Sequence, residues 1–131
     1  MSASESRSGT TQYMLLIYDD ETQWQHMSEA EAGRAFGEYM QYTQELVAAG
    51  VLRAGNPLHP TPTATTVRVR DGRTITTDGP FAETKEQLGG YYILDVESLD
   101  AALAWAARCP GARAGSVEVR PVMQVDAPVG A

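Results

Sequence analysis

The sequence predicts an α+β fold of the ferredoxin-like type, in which a mainly antiparallel sheet carries two main helices on one face. The first observation behind this prediction is the order of elements, which runs β-α-β, then a β-hairpin, then β-α-β. The second is the length of 131 residues, which suits one domain with one core. Because such a sheet leaves one apolar face free, we also expect a homodimer.

The predicted core begins with a strand and a long helix. Residues 13–18 form an uninterrupted apolar run, which indicates a strand in the middle of the sheet. Residues 28–49 are predicted to be helical, because Ser28 and Glu31 have the spacing of a capping box and Gly50 supplies a C-terminal stop. The side chains expected on the buried stripe of this helix are Ala32, Phe36, Met40, Thr43 and Val47, flanked by Tyr39 and Leu46.

The middle of the chain predicts a hairpin. Residues 51–62 hold a short strand and a Pro-rich turn. Residues 65–78 then alternate around a central Asp-Gly pair, which favours a two-residue type I′ turn. A regular register places the first residue of the hairpin opposite its last, Asp78. Asp78 therefore shares a side with Val67 and Val69, and we expect this side to be covered.

The last third predicts a strand, a helix and a strand. Residues 90–96 are apolar and β-prone, and residues 117–120 alternate as a final strand. Between them, Ser98 caps a second helix that extends to about residue 108. Its expected inner stripe consists of Leu99, Ala102, Leu103 and Ala106.

The ends of the chain differ in composition from the centre. Residues 1–11 are rich in Ser and Thr and lack a hydrophobic segment, so we expect a disordered lead-in rather than a secretory signal. Residues 126–131 are expected to form a flexible tail. The single folded domain is thus predicted to span residues 12–125.

Composition excludes several classes of function. A formal charge of −7 argues against nucleic acid and anionic membranes as partners, because both need concentrated Lys and Arg. No apolar run is long enough to cross a bilayer. One cysteine and two distant histidines give no metal-binding spacing and no disulfide, which indicates a reducing, cytoplasmic location. No phosphate-binding loop is present in the sequence, and we expect no cofactor.

One long motif resembles a known family. Residues 77–92, Thr-Asp-Gly-Pro-Phe-Ala-Glu-Thr-Lys-Glu-Gln-Leu-Gly-Gly-Tyr-Tyr, are similar to the DGPF proteins, a branch of the YCII-related family. The resemblance implies a dimeric α+β barrel, in which two ferredoxin-like domains press their sheets together. The YCII branch proper carries a His on its first helix, proposed as part of a His-Asp catalytic pair. This sequence departs from that pattern, because the nearest counterpart is Tyr39 and the helix contains no His. The resemblance also implies a link to extracytoplasmic-function sigma factors.

The polar loop of residues 78–86 is the predicted functional site. Two of its three carboxylates, Asp78 and Glu83, are the candidate catalytic residues, because burial turns a carboxylate into a useful base. A purely structural alternative remains open, in which Asp78 only shapes a Gly-Pro turn. The residues expected to contact a ligand are Lys85, Glu86, Phe81, Tyr91, His59 and Tyr39.

Two functions follow from these observations. The first is a dimer that binds a small molecule, or performs simple acid–base chemistry on it, in a pocket near the 78–86 loop. The alternative is a non-catalytic regulatory or assembly module connected with transcription. The sequence does not identify the ligand.

Overall fold

The computed structural model describes residues 9–125, and its elements follow the predicted order. It has six strands, four α-helices and one 3-10 turn within this range. These are β1 (Thr11–Asp19), α1 (Thr22–Gln25), α2 (Glu29–Ala48), β2 (Leu52–Pro57), the 3-10 turn (Thr61–Thr63), β3 (Thr65–Arg70), β4 (Arg73–Asp78), β5 (Gln87–Val96), α3 (Leu99–Arg108), α4 (Gly111–Ala114) and β6 (Ser116–Pro121).

Four strands form one antiparallel sheet in the order β2-β5-β1-β6. Because α2 joins β1 to β2 and α3 joins β5 to β6, the connectivity of this sheet and its two long helices is β-α-β-β-α-β. Strands β3 and β4 form a separate two-stranded sheet. The predicted α+β class with an antiparallel sheet and a central first strand is confirmed.

The core lies between the helices and one face of the sheet. Alternate residues of β1 and β5 point to that face, so Leu15 and Leu94 are fully buried. Both long helices pack against this face. The buried side chains of the core are Tyr13, Leu15, Ile17, Tyr42, Leu46, Tyr92, Leu94, Val96, Ala102, Ala106 and Cys109.

Helix α2 has the predicted ends but a different buried stripe. Its capping box is formed, with Ser28 accepting from the Glu31 backbone and Glu31 accepting from the Ser28 backbone. The predicted stripe was wrong for three of its members, since Phe36, Met40 and Val47 are exposed. The stripe that packs on the sheet instead contains Tyr39, Tyr42 and Leu46.

Helix α3 shows a related difference. Ala102 and Ala106 are buried as predicted, whereas Leu99 and Leu103 are about half exposed. Small side chains on the inner stripe allow the helix to lie close to the sheet. The flanking leucines consequently stay near the surface.

The hairpin has the predicted register but not the predicted surroundings. Asp71 and Gly72 both have positive φ, at 51° and 73°, as a type I′ turn requires, and the predicted cross-strand pairs are present. The expectation that one side is covered was wrong, because Val67 and Val69 are 59% and 60% exposed and Asp78 is exposed as well. The reason is that β3 and β4 pair with each other and lie outside the main sheet.

The predicted lead-in and tail fall largely outside the described residues, at positions 1–8 and 126–131. Strand β1 begins at Thr11, the last residue of the predicted lead-in. No helix within residues 9–125 is long and apolar enough to cross a membrane.

Candidate functional site

A cavity of about 580 Å³ lies between α2 and the covered face of the sheet, on the side of β2 and β5. This volume is in the range of small-molecule sites in proteins. Most of the cavity surface is apolar, and it includes a few polar groups. The lining residues are Ile17, Asp19, Glu21, Trp24, Gln25, Phe36, Tyr39, Met40, Thr43, Leu52, Gly55, Asn56, Pro57, Leu58, His59, Pro60, Gly89, Gly90, Tyr91 and Tyr92.

Helix α2 forms one wall. Phe36 and Met40, which the periodicity predicted to be core residues, line this cavity instead. Thr43 lies one turn further and bonds through its hydroxyl to the Tyr39 carbonyl at 2.8 Å and to the Tyr92 hydroxyl at 2.8 Å. The wall thus combines apolar side chains with the hydrogen-bonded hydroxyls of Thr43 and Tyr92.

Strands β2 and β5 form the floor. The ring of Tyr92 lies directly against Gly55, where an added Cβ would be only 2.6 Å from the ring atom Cδ1. A side chain at Gly55 would therefore displace Tyr92. On the opposite face of the sheet, Tyr91 accepts a hydrogen bond from the Asn56 amide at 3.0 Å.

An acidic turn at the end of β1 forms the mouth. The short helix α1 brings Trp24 back over Asp19, and the indole Nε1–H donates to Asp19 Oδ2 at 2.7 Å. Asp20 accepts from the Thr22 backbone at 3.0 Å and from its hydroxyl at 2.6 Å, which stabilises the turn. These hydrogen bonds lower the pKa of Asp20, with a smaller contribution from Lys85.

Glu21 connects the mouth to the segment that carries His59. Its carboxylate accepts from the Thr61 backbone N–H at 3.0 Å and from the Thr61 hydroxyl. Its own backbone N–H donates to Gln87 Oε1 at 3.0 Å. Leu58 N–H donates to the Gly89 carbonyl at 2.8 Å. These contacts hold residues 57–63 beside the cavity.

Burial is the main influence on the pKa values of Tyr39, in the inner wall, and of its neighbour Cys109. It raises the pKa of Tyr39, and the neighbouring Cys109 raises it further. Burial likewise raises the pKa of the Cys109 thiol. Both groups are therefore neutral in the folded protein at ordinary pH, and Tyr39 presents a hydroxyl rather than a phenolate.

Sequence comparison places the chain in a family. The sequence pattern of the YCII-related domain matches residues 11–126. The chain belongs to the YCII-related family. This YCII-related protein is also 43% identical, over 112 residues, to an uncharacterized protein of Rhizobium meliloti (strain 1021). That alignment covers 84% of this chain and 90% of the relative. Neither match specifies a substrate or a reaction.

The cavity of this YCII-related protein includes three of the predicted site residues. Tyr39, the predicted counterpart of the helix His, is one of the lining residues. His59 lies at the mouth. Tyr91 is also a lining residue, although strand alternation puts its ring on the face opposite to Tyr92.

The predicted residues of the 78–86 loop lie elsewhere. Asp78 ends β4 and is exposed, and Phe81 is 79% exposed. Glu83 borders a second, shallower depression of about 380 Å³ with Pro80, Ala82 and Thr84. Lys85 interacts with Asp20, and Glu86 Oε1 accepts from the Ser116 hydroxyl at 3.0 Å. The structure thus does not bring this loop and the larger cavity into one site.

Sequence reasoning missed the acidic mouth of the YCII-related protein. Asp19, Glu21 and Trp24 were not among the predicted site residues. The available signal was three consecutive acidic residues, positions 19–21, directly after a buried strand. Within residues 9–125, no group of three or more His, Cys, Asp or Glu side chains is arranged to hold a metal ion.

Proposed function

We propose that this protein binds a small, mainly apolar molecule in the cavity between α2 and the β2–β5 side of the sheet. The observation that carries the proposal is the size and composition of that cavity, about 580 Å³ with mostly apolar walls and few polar groups. Burial of apolar ligand surface against Phe36, Met40 and Leu52 would supply the main driving force.

One polar anchor lies inside the cavity. Thr43 has a single hydroxyl hydrogen, and its bond to the Tyr39 carbonyl uses that hydrogen. The hydrogen between Thr43 and Tyr92 therefore belongs to Tyr92. The Tyr92 oxygen keeps a lone pair that can accept a hydrogen bond from a ligand.

Any proton transfer to or from the bound molecule would fall to residues at the mouth. Asp19 and His59 are titratable side chains that border the cavity, whereas Asp78 and Glu83 do not. A role for the 78–86 loop stays a prediction. The variants Asp78→Ala and Lys85→Ala test whether ligand binding in the cavity depends on this loop. We expect both variants to bind with an affinity within about twofold of the wild type, because neither side chain lines the cavity.

We further propose that two copies associate through the open face of the sheet, formed by Met14, Leu16, Tyr91 and Ile93. These side chains lie on the two central strands, and both long helices pack on the other face. Apolar surface of this kind usually meets a second copy. Light scattering after size exclusion should give a dimer for the wild type and a monomer for Leu16→Arg. A monomeric wild type would contradict the dimer without affecting the cavity.

A blocked cavity tests the binding proposal. At Gly89, an added Cβ would be 3.6 Å from Asp19 Oδ1 and 3.9 Å from the Ile17 carbonyl, which are ordinary contacts. Gly89→Phe should therefore fill the mouth without disturbing the backbone. Gly33→Phe is the matched control, because it adds the same group where nothing lies within 4 Å of the new Cβ.

Binding can be followed with a neutral fluorescent probe, N-phenyl-naphthylamine. We expect saturable binding to the wild type, an affinity at least tenfold weaker for Gly89→Phe, and an affinity within twofold of wild type for Gly33→Phe. Met40→Trp, which fills the cavity from the helix side, replaces Gly89→Phe if that variant does not fold. Equal binding by the blocked and control variants would refute the proposal. Absence of any binding would favour the regulatory alternative.

A further inference from the structure

The cavity mouth carries negative charge with no matching cation among its lining residues. Asp19 and Glu21 both line the cavity, His59 is the single basic side chain in the lining, and neither Lys nor Arg is among these residues. Resting on the proposed function, we infer that the ligand is an organic amine bound as its cation, with an apolar or aromatic body. A carboxylate or phosphate ligand would instead meet two carboxylates.

Asp19 is positioned to receive the ammonium group. Its Oδ2 atom accepts from Trp24, while Oδ1 accepts no hydrogen bond from the described residues. Oδ1 lies beside Gly89, and the missing side chain at this position leaves room in front of the oxygen. Because Asp19 is half buried, a charge at Oδ1 is screened less than on an open surface.

Glu21 adds negative charge to the mouth. Each of its carboxylate oxygens already accepts one hydrogen bond from Thr61. The carboxylate still contributes to the negative potential of the mouth, which attracts cations toward the cavity. Lys85 and His26 both interact with Asp20, and neither is a lining residue.

The walls suit the body of such a ligand. Trp24, Phe36, Tyr39 and Tyr92 line the cavity and supply aromatic surface. Aromatic rings attract ammonium groups through their faces, and they bury apolar carbon equally well. The geometry therefore combines one available carboxylate oxygen, an aromatic lining and space for an apolar chain.

Three probes with one skeleton test the charge preference: phenylbutylamine, phenylbutanol and phenylbutyrate. Each competes against N-phenyl-naphthylamine in separate titrations at about pH 8, where the amine is protonated. We expect the amine to bind at least fivefold more tightly than the alcohol, and the carboxylate to bind most weakly. Raising the salt from about 50 mM to about 500 mM should reduce the amine preference and leave alcohol binding unchanged.

Asp19→Asn removes the charge while keeping an oxygen for Trp24. This variant should bring the amine to within about twofold of the alcohol. Glu97→Gln is the control, because it removes one charge at an exposed position outside the cavity lining. Equal binding of the three probes by the wild type, or a full amine preference in Asp19→Asn, would overturn the inference. Failure of the neutral probe itself to bind would instead refute the proposed function.

Discussion

The hydroxyl of Tyr42 donates a hydrogen bond to a backbone carbonyl at the C-terminal end of α3. Tyr42 is 3% exposed, and its hydroxyl donates to the Trp105 carbonyl at 2.7 Å. The backbone N–H of Cys109 bonds to the Ala106 carbonyl rather than to that of Trp105. The Trp105 carbonyl is therefore one of the helix-end acceptors that need a partner from outside the helix.

Tyr42→Phe removes this partner and little else. The ring contacts with Tyr92 and Trp105, at centroid distances of 5.5 and 6.3 Å, remain available to phenylalanine. Leaving this part-buried carbonyl without a hydrogen bond costs about 2 kcal/mol. For a domain of this length, that loss lowers the Tm by about 8 °C.

Urea unfolding followed by circular dichroism measures the loss of stability. Tyr18→Phe is the matched control, because it removes a hydroxyl whose hydrogen bond goes to the exposed Glu118 side chain. We expect this control to cost less than about 0.5 kcal/mol. A Tyr42→Phe variant as stable as Tyr18→Phe would refute the assignment of Tyr42 as the partner of the helix end.

Two further predictions concern alkaline pH and the hairpin. Burial raises the pKa of Tyr39, Tyr42 and Cys109 in the folded protein above the ordinary values, which are 10.0 for tyrosine and 9.0 for cysteine. The contribution of these groups to stability is fully present below the ordinary values, which apply to the unfolded chain. It is lost as the pH rises above them. Urea unfolding at about pH 7 and about pH 10.5 should therefore show a fall of up to about 1.4 kcal/mol per group and pH unit, and equal stability would contradict it. Val67→Thr and Val69→Thr should each change the free energy of unfolding by less than about 0.5 kcal/mol in the same assay, because both side chains are largely exposed. A loss above about 1.5 kcal/mol would mean that this side of the hairpin is covered.

Short-range chemistry made the hairpin predictable in detail. An Asp-Gly pair with both residues at positive φ permits one turn type, and that turn fixes every cross-strand pair. The same sequence does not specify what the hairpin packs against. The surface against which the hairpin packs depends on the path of residues 57–64 and 79–86, whose sequences show neither helical nor strand periodicity.

Periodicity identified the right helix but not its surroundings. The spacing of Phe36 and Met40 shows that they belong to an apolar stripe, yet such a stripe can meet either a packed core or a cavity. The role of the Tyr42 hydroxyl was missed because its hydrogen-bond partner, the Trp105 carbonyl, is 63 positions away. The same limit applies to the mouth, where Glu21 and Thr61 meet across 40 positions.

Methionine methyl groups give the most direct test of the cavity as the ligand site. The chain has five methionines; Met40 lines the cavity, and Met14 lies on the opposite face of the sheet. We predict that titration with phenylbutylamine shifts the Met40 methyl signal of 13C-labelled protein to saturation and leaves that of Met14 unchanged. Saturable binding with an unmoved Met40 signal would contradict the account, because the ligand would then occupy another part of the protein.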